Sequence, residues 1–446
     1  MKEQFKIGVA HEIITPPLGT LLSGYVCRRP AASVNDDLRV NAIAFCQGEL
    51  CGMMISVDVV SINTPLFNRI RGLVSAETGI PKDNIIISAI HTHSGPQINL
   101  SKGWGIPNES FINEILIPKT LLAVKKAMLS MRPAVMGVGV TESKVGINRR
   151  EVMPDGSVRL GQNPYGVYDP EMTVVSFKGT DGEPIVNMVH YGCHGTACGR
   201  GLEITRDWPG VMVDRLEEET GATTVFFNGA EGDVGPRISN GRTTGDFGVR
   251  EAEDRPYGQI KYVYELGSVA SIDAMRAYSQ IKEYREVKLQ ILTGFLHLPY
   301  DAPPSREEIE KRLSELSLRK DLMGVEVREY EKLKTLLKMY EDGEPFETEY
   351  LLDQTLVCFN STVFVPFRFE MFSEITLRLR TYAPFANTLS LSNTNGGEGY
   401  LPIRPELVRG GYEINVFKTR EPYKFVDNTD DIIIRENLRL MEKFEF

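Results

Sequence analysis

The sequence predicts an α/β layered domain, with mixed β-sheets flanked by helices and a helical hairpin inserted late in the chain. Short runs rich in β-branched residues alternate with amphipathic helical stretches over the first three hundred residues. Several of these runs end in glycine-bearing turns. Near Pro303 the composition turns charged and helical, and strand-like character returns afterwards.

The elements follow in order. Met53 to Val60, MMISVDVV, and Asn84 to Ile90, NIIISAI, read as buried strands. Between them Leu66, Ile70, Leu73 and Val74 fall at helical spacing. Phe111 to Met131 gives a long helical pattern. Residues 183–197, EPIVNMVHYGCHGTA, read as a strand running into a loop, and 209–221 as a helix stopped by glycine. Residues 222–237, ATTVFFNGAEGDVGPR, read as a strand feeding a glycine-rich turn. Ile309, Leu313 and Leu316 mark one apolar face of the insertion, and the Met323-Gly324 break predicts two antiparallel helices. Residues 355–372 return to strand character, and a final helix lies within Asp427 to Phe446. No internal repeat is legible in the residues.

The length allows two domains or one large α/β domain with insertions, and the expectation is a single domain over 1–446, with a core of 1–300 and 350–446 and the insertion at about 303–345. Apolar and charged fractions of 42% and 25% are those of a globular protein. A net charge of -10 argues against nucleic acid as a partner, because phosphate binding wants a basic surface. The first residues, MKEQFKIGVAHEIITPP, read as no signal peptide, and no apolar run reaches the ~18 residues of a membrane-spanning helix. The six cysteines form no CxxC pair, so the expectation is reduced thiols in a cytoplasmic protein. Cys193 and Cys198 flank a histidine and read as buried thiols.

Histidine is scarce, six in the chain, yet SAIHTHSGP sets His91 and His93 one residue apart where a strand-like run ends. In a strand, i and i+2 face one side, so both rings point into one cleft. HYGCHGT adds His190 and His194 at a second strand end, His194 between glycines. Neutral imidazoles from separate elements plus a carboxylate are what a mononuclear zinc site needs. His190 lies in the strand proper and reads as a core residue; His11 and His297 read as structural. Spacing alone leaves the third ligand open among sixty acidic residues. Asp233 and Asp207 are candidates either for orienting a ligand histidine or for capping a turn or helix.

HTHSGP, ITPPLGTLLSGY, INRR at Ile147 to Arg150, VHYGCHGTA, GDVGP at Gly232 to Pro236, FEMFSEITLRLR from Phe369 and GYLPIRPELVRGGYE from Gly399 occur in that order. Together they resemble the catalytic domain of the neutral/alkaline, non-lysosomal ceramidase family, and the expectation from the resemblance is that no C-terminal immunoglobulin-like domain accompanies it. The resemblance implies a zinc-dependent hydrolase of a linear amide, acting on a small-molecule N-acyl substrate in lipid metabolism. It implies His91, His194, Glu370 and Tyr400 as Zn²⁺ ligands and His93, Arg149 and Tyr400 as catalytic residues. Arg150 rivals Arg149 for the family arginine. Phe369 stands where the family has glycine before the glutamate, and Gly235 where its hydrolysis depends on a serine. The lost hydroxyl keeps open a metal-dependent hydrolase or isomerase of an ester, lactone or sugar-like substrate on the same scaffold, or a non-catalytic metal-binding relative.

Overall fold

The computed structural model describes residues 3–25, 27–99, 105–238, 259–319, 322 and 325–445. One order of elements recurs three times: an antiparallel meander of three strands, a helix, a fourth strand parallel to the third, and a closing helix. The first unit runs β1 (Phe5–Ile13), β2 (Arg39–Gln47), β3 (Leu50–Val57), α1 (Thr64–Thr78), β4 (Ile85–Ala89) and α2 (Ile117–Leu129). The second runs β5 (Arg132–Glu142), β6 (Glu171–Gly179), β7 (Pro184–Tyr191), α3 (Trp208–Thr220), β8 (Thr223–Asn228) and α4 (Ile260–Ser279). The third begins with β9 (Leu289–Pro299). It then carries the inserted α5 (Arg306–Ser317) and α6 (Val325–Asp342), followed by β10 (Glu349–Phe359) and β11 (Thr362–Pro366). It ends with α7 (Ser373–Tyr382), β12 (Asn387–Leu391), the short α8 (Tyr412–Lys418) and α9 (Thr429–Met441).

The first two units share one sheet, ordered β8-β7-β6-β5-β1-β2-β3-β4, joined where Lys6 and Ile7 meet Pro133 and Arg132. The third unit keeps its own sheet. All three bury their inner faces in one cluster: Phe45 and Met54 from the first, Phe177 and Phe227 from the second, Phe359 and Phe364 from the third. Each outer face is covered by its own helices, and each closing helix lies on the first strand of its unit. This accounts for the alternation of apolar runs: a strand buried on both faces reads as continuously apolar.

Local signals set the helix ends. The Asn63 side chain accepts from Leu66 N and Gly79 closes α1 in the left-handed region, at φ 74°. Leu66, Ile70 and Val74 are buried as their spacing predicts, but Leu73 is 38% exposed, Phe67 taking the inward position. Ser305 and Glu308 form a reciprocal capping box at the start of α5. Ile309 and Leu316 then pack with Leu333, Leu336 and Tyr423 in a cluster separate from the main cores. Met323-Gly324 lies outside the described residues.

One expectation is corrected. Cys46 and Cys51 face each other across the β2–β3 hairpin, their Cα atoms 4.2 Å apart, and form a disulfide. Directly opposed hairpin positions bring two Cβ atoms within bridging reach, which a search for CxxC spacing does not register. Cys27, Cys193, Cys198 and Cys358 are free thiols. No helix among the described residues is long and apolar enough to cross a membrane.

Candidate metal centre

The site lies where the parallel strand pairs of the three units end, at their carboxyl edges. The turn after β4 supplies His91 and His93, that after β7 His194, that after β8 Glu231, that after β11 Glu370 and that after β12 Asn393. Glu370–Met371 pairs in parallel with Tyr400–Leu401, which brings Tyr400 beside Glu370. Gly146–Asn148 pairs with Val234–Pro236 and delivers Arg149.

His91 and His93 meet by a different route from the strand alternation expected. The strand stops at Ala89, and His91 adopts φ 67°, a left-handed conformation that costs a non-glycine residue ~1–2 kcal/mol. Its backbone N–H and Nδ1 both bond outside the strand, to Val59 O at 3.0 Å and Val60 O at 2.7 Å. The kink turns Nε2 inward, 3.2 Å from His93 Nε2. His194 is fixed likewise, its Nδ1 2.9 Å from Glu231 O and 3.1 Å from Val234 O. With both Nδ1 protons committed to carbonyls, His91 and His194 turn their Nε2 lone pairs into the site, that of His194 accepting from Arg149 Nη1.

Glu370 Oε2 lies 3.6 Å from His91 Nε2 and 3.2 Å from His194 Nε2. It is buried with no hydrogen-bond partner. Burial pushes all three imidazoles below their usual range, His194 to about 3, so they are neutral at pH 7. Burial works to raise the Glu370 carboxyl, and with the imidazoles neutral the Arg149 guanidinium is the standing charge that opposes it. A buried carboxylate oxygen facing imidazole lone pairs is costly unless a cation lies among them. The edge of a tetrahedron with bonds of ~2.0–2.1 Å is about 3.3 Å, so these separations fit a small divalent ion. His91, His93 and His194 form one compact potential ligand group, and His91, Glu231 and Glu370 a second.

Arg149 faces the site, and Arg150 does not. Arg149 donates from Nη2 to Tyr400 Oη at 2.9 Å and from Nε to Glu413 Oε1 at 2.9 Å; its Nη1 is 2.8 Å from His194 Nε2. Arg150 is spent on Glu406, Glu413 Oε2 and the Gly410 carbonyl. Burial pushes the Tyr400 phenol well above its usual value, opposed by the Arg149 guanidinium.

Neither acidic candidate orients a histidine. Asp207 accepts from Trp208 N, Ala197 N and Cys198 N, capping α3 and pinning the loop after His194. Asp233 Oδ1 takes Ser373 N and Oγ, both at 2.8 Å, at the start of α7. The orienting groups are carbonyls, supplied by the turn that follows the adjacent parallel strand of the same unit: Val60 for His91, Glu231 and Val234 for His194. His190 is a buried core residue bonded to Ser390 O, and His297 is exposed beside Glu349.

Sequence reasoning missed Glu231, Asn393, Glu413 and Tyr25. Glu231 is fully buried, and its Oε1 accepts from Asn393 Nδ2 at 2.6 Å. Its one signal is its place in the glycine-rich turn GAEGD. A cavity of about 490 Å³ opens on the centre, lined by Tyr25, Leu160, Arg200, Gly235 and Tyr412 besides the residues above.

These features define an α/β protein with a buried His/Glu centre at the carboxyl ends of its parallel strand pairs. Its fold is that of the neutral ceramidases. The structure of neutral ceramidase from Pseudomonas aeruginosa superimposes with a TM-score of 0.73 at 16% identity, covering 100% of this chain and 76% of that one. A ceramidase complexed with C2 gives 0.72 at 14% identity, covering 99% and 76%. No protein-family model matches the sequence, and no curated protein is significantly similar to it.

Proposed function

We propose that the chain is a zinc-dependent hydrolase of a linear amide, an N-acyl bond, with His91, His194, Glu370 and Tyr400 as the metal ligands. One observation carries the reading: the unpartnered, buried Glu370 Oε2 faces two imidazole lone pairs at tetrahedral-edge separations. A cation bound there would supply Lewis-acid chemistry. The chain's own groups handle charge and protons. The Arg149 guanidinium, fixed by Glu413, is placed to stabilise negative charge developing on the carbonyl oxygen. His93, neutral and beside the ligand set, takes a proton from the attacking water and gives it to the departing nitrogen. A C–O bond forms as the C–N bond breaks, general acid–base work worth ~10²–10⁴-fold. Because the centre draws on all three units, the proposal makes them one catalytic domain.

Gly235 lines the cavity where the resembled family has serine, and it favours a second reading in which the substrate is an ester, a lactone or a sugar-like compound. Elemental analysis of the purified protein, followed by hydrolysis panels, separates these. The wild type is expected to hold about one zinc per chain, lost in His194→Ala. His93→Ala is expected to keep zinc and to lose roughly a hundredfold in amide turnover. Protein purified without chelators and free of stoichiometric metal sinks the ligand set, and loss of metal in His93→Ala makes that residue a ligand. Metal without turnover on any panel leaves a non-catalytic relative.

We place the reaction in the cytoplasm. The Cys46–Cys51 disulfide pulls the other way, since such bonds are rare there. Alkylation of protein taken directly from cells decides it, six labelled thiols supporting the cytoplasm and four opposing it.

A further inference from the structure

Charge on the cavity wall is unbalanced at Tyr25. Among the lining residues the one carboxylate, Glu370, stands against the guanidiniums of Arg149 and Arg200. Arg149 is matched by Glu413. The exposed Arg200 lies 5.9 Å from the centre of the Tyr25 ring and pairs with no carboxylate among the described residues. Arg29 sits 4.7 Å from the same centroid and is buried. Its hydrogen bonds go only to the carbonyls of Gly201, His93 and Ser23, and its Nε has no partner. Carbonyls solvate a guanidinium without cancelling its charge, so two uncompensated cations share one ring on this wall.

The wall adjoins His93, whose ring meets Tyr25 edge-on with centroids 5.0 Å apart. On the reading above, His93 serves the departing nitrogen, so a group held at Arg200 belongs to the amine half of the substrate. We propose that Arg200 and Tyr25 form a subsite for a carboxylate on that half, making the chain a hydrolase of N-acyl amino acids in preference to neutral N-acyl amides. The inference rests on the amidase reading for its orientation. Arginine suits the role because its planar fork matches a carboxylate with two parallel N–H donors. The reaction balances as N-acyl amino acid plus water giving a free carboxylic acid and a free amino acid. The amide C–N bond breaks, a C–O bond to water forms, and a proton from water ends on the amino nitrogen.

The test compares N-octanoylglycine with N-octanoylglycinamide, which differ in that one charge, on wild type and Arg200→Gln. A calorimetric titration of chelator-treated, non-hydrolysing protein with N-octanoylglycine runs beside it. Wild type is expected to favour the acid in kcat/KM by about tenfold or more, and Arg200→Gln to abolish that preference. Binding to the chelated protein is expected to weaken about tenfold in the variant and to weaken with salt in the wild type. Amide cleavage without preference for the acid overturns the subsite and leaves the hydrolase. Arg200-dependent binding without cleavage of either amide supports the subsite and overturns the hydrolase. Neither binding nor cleavage overturns both.

Discussion

At the scale of single residues, the centre depends on buried charges that share a small set of partners. Glu413, with a side chain 2% exposed, takes Arg149 Nε through one oxygen and Arg150 Nη1, at 2.7 Å, through the other. Glu413→Ala therefore leaves the buried Arg149 without a carboxylate while Arg150 keeps Glu406, and is expected to cost about 3–5 kcal/mol in urea unfolding, whereas a variant within 1 kcal/mol of wild type would refute this coupling. Two glycines at the cavity differ in kind. A Cβ on Gly24, at φ +97°, would sit 2.4 Å from the His93 ring, so Gly24→Ala is expected to displace that ring and depress turnover at least tenfold. A Cβ on Gly235 meets nothing nearer than Arg149 Cβ at 3.4 Å, so Gly235→Ser is expected to fold with an unchanged melting temperature. If amide cleavage rises in that variant, the missing hydroxyl is what limits this chain.

At the scale of elements, the pattern of legibility has a physical cause. His91, His93 and His194 stand out because histidine is rare here and a strand end has no packing use for it. Glu231 and Asn393 occupy equivalent turns in the second and third units, yet they are hidden among abundant acids and amides. The strands and the inserted hairpin were legible because burial imposes its period on the residues; the threefold recurrence was not, since a topology constrains the order of elements and not their letters. Left-handed His91 was illegible too, because the carbonyls that hold it, Val59 and Val60, follow a different strand and are brought beside it only by the parallel pairing. Helix α5 provides a purely local test. Losing its capping box in Ser305→Ala is expected to cost about 1 kcal/mol, read as roughly fivefold faster amide exchange within Arg306–Ser317, with no change at the metal centre.

At the scale of the whole molecule, the centre ties the three units together, so its ionisation is coupled to global stability. In the metal-free protein burial depresses the four inner histidines, His190 to about 4 and His194 to about 3, against about 6.5 in the unfolded chain. The unfolded state then binds more protons between those values, so stability falls as the pH drops below about 6.5. Each imidazole contributes up to ~1.4 kcal/mol per pH unit. The melting temperature in chelator is thus expected to fall between pH 7.5 and 5.5. Added zinc is expected to raise it at pH 7.5 by binding the folded form alone, and a flat profile in chelator would contradict the burial of these rings.

The order of the site residues along the chain also has a consequence for synthesis. His91, His93 and His194 leave the ribosome long before Glu370, Tyr400 and Glu413, roughly 15–65 s separating His91 from Glu413 at about 5–20 residues per second. Once Glu231 has been made the nascent chain carries the three histidines and one acid of the centre, but the ligand set proposed above is complete only after Glu370 and Tyr400 have been made and the third unit has formed.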